Sequence, residues 1–296
     1  MYDARKYKGG GSLKDGMAFG LFVLLAAAVS FLAAFKGPDI FNTSNNGANR
    51  VIVANAEGQL SLPDIDAKRL DAALREYDAD LHVAVTTRLA ASSAVTLDDM
   101  AERIFEEIQD EMVDGRDDFA RMPLRYLNEV IDLSRGRLRK AVSRRDPWCA
   151  ASAYKDFLGT TDPEELRLIG DRMAPDMASA NTAIGQYLVD VSAILLEGAT
   201  AARRSPTELG PVTDQDEAAL QGLVMSLITD EQLMPVMIAA QQGTLETSLD
   251  TLNICSLGLT VVTAIRTLPE ETKGRVWAGA VRGDFNPAAV QQGRSF

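Results

Sequence analysis

Nineteen consecutive residues, Met17–Phe35 (MAFGLFVLLAAAVSFLAAF), carry no charge. As an α-helix this stretch would be about 28 Å long, close to the thickness of a bilayer's hydrocarbon core. A helix apolar on every face needs lipid or a large protein core around it, so we read the stretch as a single transmembrane signal-anchor. Arg5, Lys6, Lys8 and Lys14 precede it against Asp3 and Asp15, whereas the whole chain carries a net charge of −12. Basic residues beside a span stay on the cytoplasmic side. Residues 1–16 therefore read as a cytoplasmic tail, and everything after Lys36 as periplasmic, with the span in a bacterial inner membrane. Ala26-Ala27-Ala28 offers a cleavage pattern for a removable signal peptide, but cutting there would leave apolar Val29–Phe35 at the new terminus. The length of the run favours an uncleaved anchor.

The expected fold class is all-α: one transmembrane helix followed by a multi-helix bundle. Hydrophobic residues make up 46% and charged residues 24%, values of a globular chain, while aromatics are only 6% and β-branched runs are short. Residues 36–62 form a linker rich in Asn and Gly. Within it Val51–Ala54 and Gln59–Leu62 flank Glu57-Gly58 and leave room for a small β-hairpin over 51–62. Residues 63–202 read as one helical subdomain, 203–215 as a boundary loop with two prolines, 216–284 as a second subdomain and 285–296 as a tail. Leu70, Leu74, Tyr77, Leu81, Val85 and Leu89 step by three or four and predict one long first helix. Thr96 is the expected cap of a second, and a third covers Asp117–Arg144 with a kink at Pro123. Asp162-Pro163-Glu164-Glu165 opens a further helix reaching about Ala202, kinked or broken at Pro175. Thr229 with Gln232 suggests a capping box, and apolar Leu252–Ile265 is expected as a central core helix.

Chemistry-bearing patterns are sparse. The chain has one histidine, His82, and no HExxH, paired CxxC, phosphate loop or GxSxG elbow. Ten carboxylates crowd Asp98–Asp118, but Met112 and Arg121 occupy ligand positions of the calcium loop that Asp110, Asp114 and Gly115 partly echo. No metal site and no cofactor are expected. Cys149 and Cys255 are the only cysteines and both follow the span; an oxidising compartment allows one disulfide between them, with two separate buried thiols as the alternative. The most distinctive run is basic: Arg135, Arg137, Arg139, Lys140, Arg144 and Arg145, with no acid between them. Either it lies along the acidic second helix, or it faces an anionic partner.

A pI near 4.7 argues against nucleic acid. Tethering without a catalytic constellation leads to the expectation of a non-enzymatic accessory or scaffold protein in an envelope complex, with envelope proteins as partners. The alternative is a periplasmic binding module for an anionic polymer, peptide or lipid through Arg135–Arg145. A carboxylate-based envelope hydrolase ranks third.

Overall fold

The computed structural model describes residues 65–91, 110–151, 163–231 and 252–282, together with isolated positions such as Leu60, Leu62, Ile104 and Ile108; side chains are described outside 88–91 and most of 163–184. The expected anchor, Met17–Phe35, and most of the expected hairpin lie outside these residues. Of the latter only Leu60 and Leu62 are described, and Leu62 pairs with Ile65 in an isolated bridge. The described residues are all-helical, with no strands. None of their helices is long and apolar enough to cross a membrane.

The helices in chain order are α1 (Lys68–Tyr77), α2 (Ala79–Ala91), α3 (Arg116–Ala120), α4 (Leu124–Arg144), α5 (Pro163–Arg204), α6 (Asp214–Ile228), α7 (Ile254–Thr267) and α8 (Glu270–Arg282). A 3₁₀ turn, Pro147–Cys149, follows α4. The second half of α5 is the axis. From Tyr187 to Ala202 almost every side chain is buried, including Val189, Ile194, Leu196 and Ala199. Each such Val, Ile or Leu contributes about 1.5–3 kcal/mol relative to an exposed one. Against this stretch pack α1, α3 and α4. The apolar residues Leu70, Leu74 and Tyr77 of α1 share its cluster with Phe119, Met122 and Ile108. A second cluster joins Leu220, Leu223, Val224 and Leu227 of α6 to Val261 of α7.

Several sequence expectations need correction. The predicted first helix is two, because Asp78 is extended and its Oδ1 accepts from the amides of Asp80 and Leu81, capping α2. Pro123 is the N-cap of α4, and α3 has already closed at Ala120, so the expected 117–144 helix is two elements rather than one kinked helix. Pro175, by contrast, lies inside an uninterrupted 42-residue helix. Losing one N–H there is outweighed by the burial that follows. Thr229 closes α6, its hydroxyl donating to the Met225 and Ser226 carbonyls, while Asp230 Oδ1 receives the Leu233 amide. The Leu252–Ile265 segment is mostly half-buried; α7 lies along α4 rather than at the centre.

The segments on either side of the loop 205–213 are tied together at several points. Cys149 and Cys255 form a disulfide closing a loop of 106 residues, which in the chain-entropy view contributes about 4–5 kcal/mol. Trp277 Nε1 donates to the Phe119 carbonyl at 2.8 Å, and buried Lys273 donates to Asn128 Oδ1 and Glu270 Oε1. Asp216 is fully buried. It accepts from Arg275 Nε and Nη2 (2.6 and 2.9 Å), from Thr272 Oγ1 (2.6 Å) and from the amide and hydroxyl of Thr213. The Arg275 guanidinium, helped by these donors and opposed by burial, holds its carboxyl well below the usual carboxylate range.

A carboxyl depressed in the folded state contributes stability above its unfolded pKa and loses it as pH falls. Stability should therefore decline below about pH 4. Asp216→Asn should cost about 3–5 kcal/mol at neutral pH, because Arg275 keeps its charge without a counter-charge. It should also flatten part of the acid limb, with Asp71 and Glu270, shifted in the same direction, retaining the rest. Urea melts across pH check both effects.

Candidate anion-binding surface

Of the six basic residues singled out in the sequence, the structure separates two from four. Arg137 Nη2 contacts Asp190 Oδ2 of α5 at 2.8 Å, and Arg135 pairs with Asp132 one turn earlier at 3.2 Å. These are structural. The pairing of this run with the acidic 98–118 segment is not what the described residues show: Asp118 holds Arg203 at 2.6 Å, and Glu111 accepts from Tyr77 Oη at 2.8 Å. Arg139, Lys140, Arg144 and Arg145 are all exposed, and no ion pair engages them among the described residues.

Lys140 and Arg144 lie four residues apart, on one face of α4, where like charges cost a few tenths of a kcal/mol. The dipole at the helix C-terminus favours cations, but only within the last turn. It accounts for Arg144 and not for Arg139 or Lys140. Arg145 has φ 56° and ψ 44°, the left-handed conformation in which glycine usually closes a helix. Its amide donates to the Val142 carbonyl, and the Asp146 amide to the Ala141 carbonyl, the two bonds of a Schellman motif. Among the described residues it is the one non-glycine with positive φ. An outlier kept at a charged position motivates a functional reading.

This basic end is rigidly held. Ala141 is buried with Cys149 and Cys255, and Leu138, Val142, Trp148 and Ile254 pack around them. The disulfide thus fixes the chain four residues beyond Arg145. Half-buried Asp146 is the nearest acid in sequence.

His82 is buried, and its Nε2 contacts Asp71 Oδ1 at 2.8 Å. The same carboxylate accepts from the Leu60 amide and from Arg75 Nε. Thr86, one turn on, gives its hydroxyl to the His82 carbonyl. Asp71 and His82 tie the incoming segment at Leu60 to α1 and α2. The sequence patterns single out neither Asp71 nor Asp216 as a buried acid. For Asp216 the Thr213-x-x-Asp216 spacing of a capping box was the available signal. Among the described residues no three His, Cys, Asp or Glu side chains converge as metal ligands would. The chain matches no protein-family model, no curated protein and no solved structure.

Replacing Arg145 with glycine should raise stability by about 0.5–1 kcal/mol, since the left-handed penalty exceeds the entropy glycine adds to the unfolded chain. A denaturant melt of Arg145→Gly beside wild type checks this.

Proposed function

We propose that this chain is a non-enzymatic, membrane-anchored helical protein of the bacterial envelope, its body periplasmic, which acts by engaging anionic partners through the basic end of α4. The observation supporting this is that Arg139, Lys140, Arg144 and Arg145 are exposed on a braced helix end without ion pairs among the described residues, although the chain is acidic overall. An acidic chain has ample carboxylates to neutralise four cations. Leaving them unpaired keeps a local positive field that steers an opposite charge. The disulfide accords with an oxidising compartment. The reading as an accessory subunit follows where the anionic partner is an acidic face of another envelope protein. A free polymer, peptide or lipid headgroup makes the body a binding module instead.

Reversing Arg139, Lys140 and Arg144 to glutamate should abolish capture of partners in a crosslinking pull-down from the native membrane, and binding of polyglutamate or phosphatidylglycerol vesicles. The melting temperature should stay close to wild type, because none of the three residues is in an ion pair among the described residues and the dipole interaction lost at Arg144 is worth about 0.3–1 kcal/mol. A lowered melting temperature with unchanged capture would instead make the basic end a structural feature.

A further inference from the structure

We propose that the basic end of α4 docks onto the anionic phospholipid headgroups of the membrane that the chain's own anchor occupies. The inference rests on the reading of that end as anion-binding, and it names the partner. What carries it is that the basic end and the chain's point of entry lie at the same end of the body. Helices α4 and α5 run antiparallel: a Cβ at Gly198 would lie 3.3 Å from the Tyr126 Cβ, whereas Ser134 Oγ and Tyr187 Oη meet at 2.7 Å. Arg139–Arg145 therefore continue past the level of Tyr187, away from the C-terminal end of α5. The incoming segment arrives at that same level. Gln186 Oε1 accepts from the Asp66 amide at 2.9 Å, and α1 then runs parallel to α5 as far as the Glu76–Arg204 pair. Just before Asp66, the Leu60 amide is held by Asp71 Oδ1 at 2.8 Å.

Only residues 36–59 separate the expected anchor from Leu60. A chain of that length spans at most about 85 Å even fully extended. Tethering makes contact between body and headgroups intramolecular, so a weak attraction suffices. Charge then selects which end makes it. Exposed charges act over a Debye length of about 8–10 Å, so acids at the far end do not oppose a contact at the near one. Of the acids close to the basic end, Asp190 is spent on Arg137, Asp132 on Arg135 and Arg266, and Asp146 is half-buried. At the opposite end, where Arg203 of α5 holds Asp118, an anionic surface would meet exposed Asp114 and Asp117. Arg121 and Arg204 there are already paired with Glu208 and Glu76. Each cation near an anionic surface strengthens the contact about fivefold.

The test places the full-length chain in lipid nanodiscs made of phosphatidylcholine alone or with phosphatidylglycerol added. Phenylglyoxal, an uncharged arginine reagent, is applied, and its adducts are followed by peptide mass spectrometry. Arg139, Arg144 and Arg145 should react at least about fivefold more slowly on the phosphatidylglycerol discs. Arg125, exposed on the same helix about 21 Å from Arg139 along the axis, should react equally on both. Salt at about 1 M should abolish the difference, and a difference that persists would contradict a charge contact. A separate arm adds polyglutamate to the phosphatidylcholine discs. Protection by polyglutamate but not by phosphatidylglycerol overturns the membrane contact and leaves the basic end to an acidic protein. Protection by neither overturns both this proposal and the anion-binding reading beneath it. Slowing of Arg125 equal to that of the other three also overturns the proposal, since the contact is then not made by the basic end.

Discussion

Burial of the second half of α5 on nearly every face is the constraint from which the rest of the body follows. A helix of this kind must be surrounded, and α1, α3 and α4 surround it. Polar side chains of α5 then fix the register of each neighbour. Gln186 exchanges hydrogen bonds with the Asp66 backbone, Asp190 receives Arg137, Glu197 receives Arg69, and Arg203 lies 3.8 Å over the Tyr77 ring while bonding to Asp118. Pairs of this kind on a surface contribute little each, so their role here is geometric: apolar burial supplies the free energy, and the pairs choose one docking among several. Gly115 serves similarly, since a Cβ there would lie 2.8 Å from the Tyr77 hydroxyl that bonds Glu111.

The helical class was legible because periodicity and composition agree over long stretches. Helix ends were harder to read. Asp78 lies within an unbroken apolar period, and its capping role depends on an extended backbone that periodicity does not reveal. Thr229 and Asp230 are both good caps, and the choice between them is made by how α6 ends. The central helix was misplaced for a physical reason. Apolar Leu252–Ile265 is conspicuous as a run, whereas 187–202 is interrupted by Asp190, Ser192, Glu197 and Thr200. Two of these are buried hydroxyls and two are acids satisfied by arginines from neighbouring helices, so the interruptions do not expose it.

The basic run was visible in the sequence, but its division was not. Which arginines are spent internally depends on where Asp132 and Asp190 come to lie, and that is a property of the packing. After Arg135 and Arg137 are paired, the remaining four cations occupy a helix end braced by a disulfide and closed by an arginine in a glycine-like conformation. The disulfide braces this end, and Arg145 holds a backbone conformation that costs a non-glycine residue stability. That is the ground for the proposal that this end, rather than the acidic surface around it, engages a partner.

Amide hydrogen exchange, followed by mass spectrometry on the full-length protein in its native membrane and after purification in detergent, tests this most directly. The account expects slower exchange across 139–149 in the membrane, where an anionic partner covers the end of α4, and little change along 187–202, which is buried in both states. Equal exchange at 139–149 in the two preparations would contradict it.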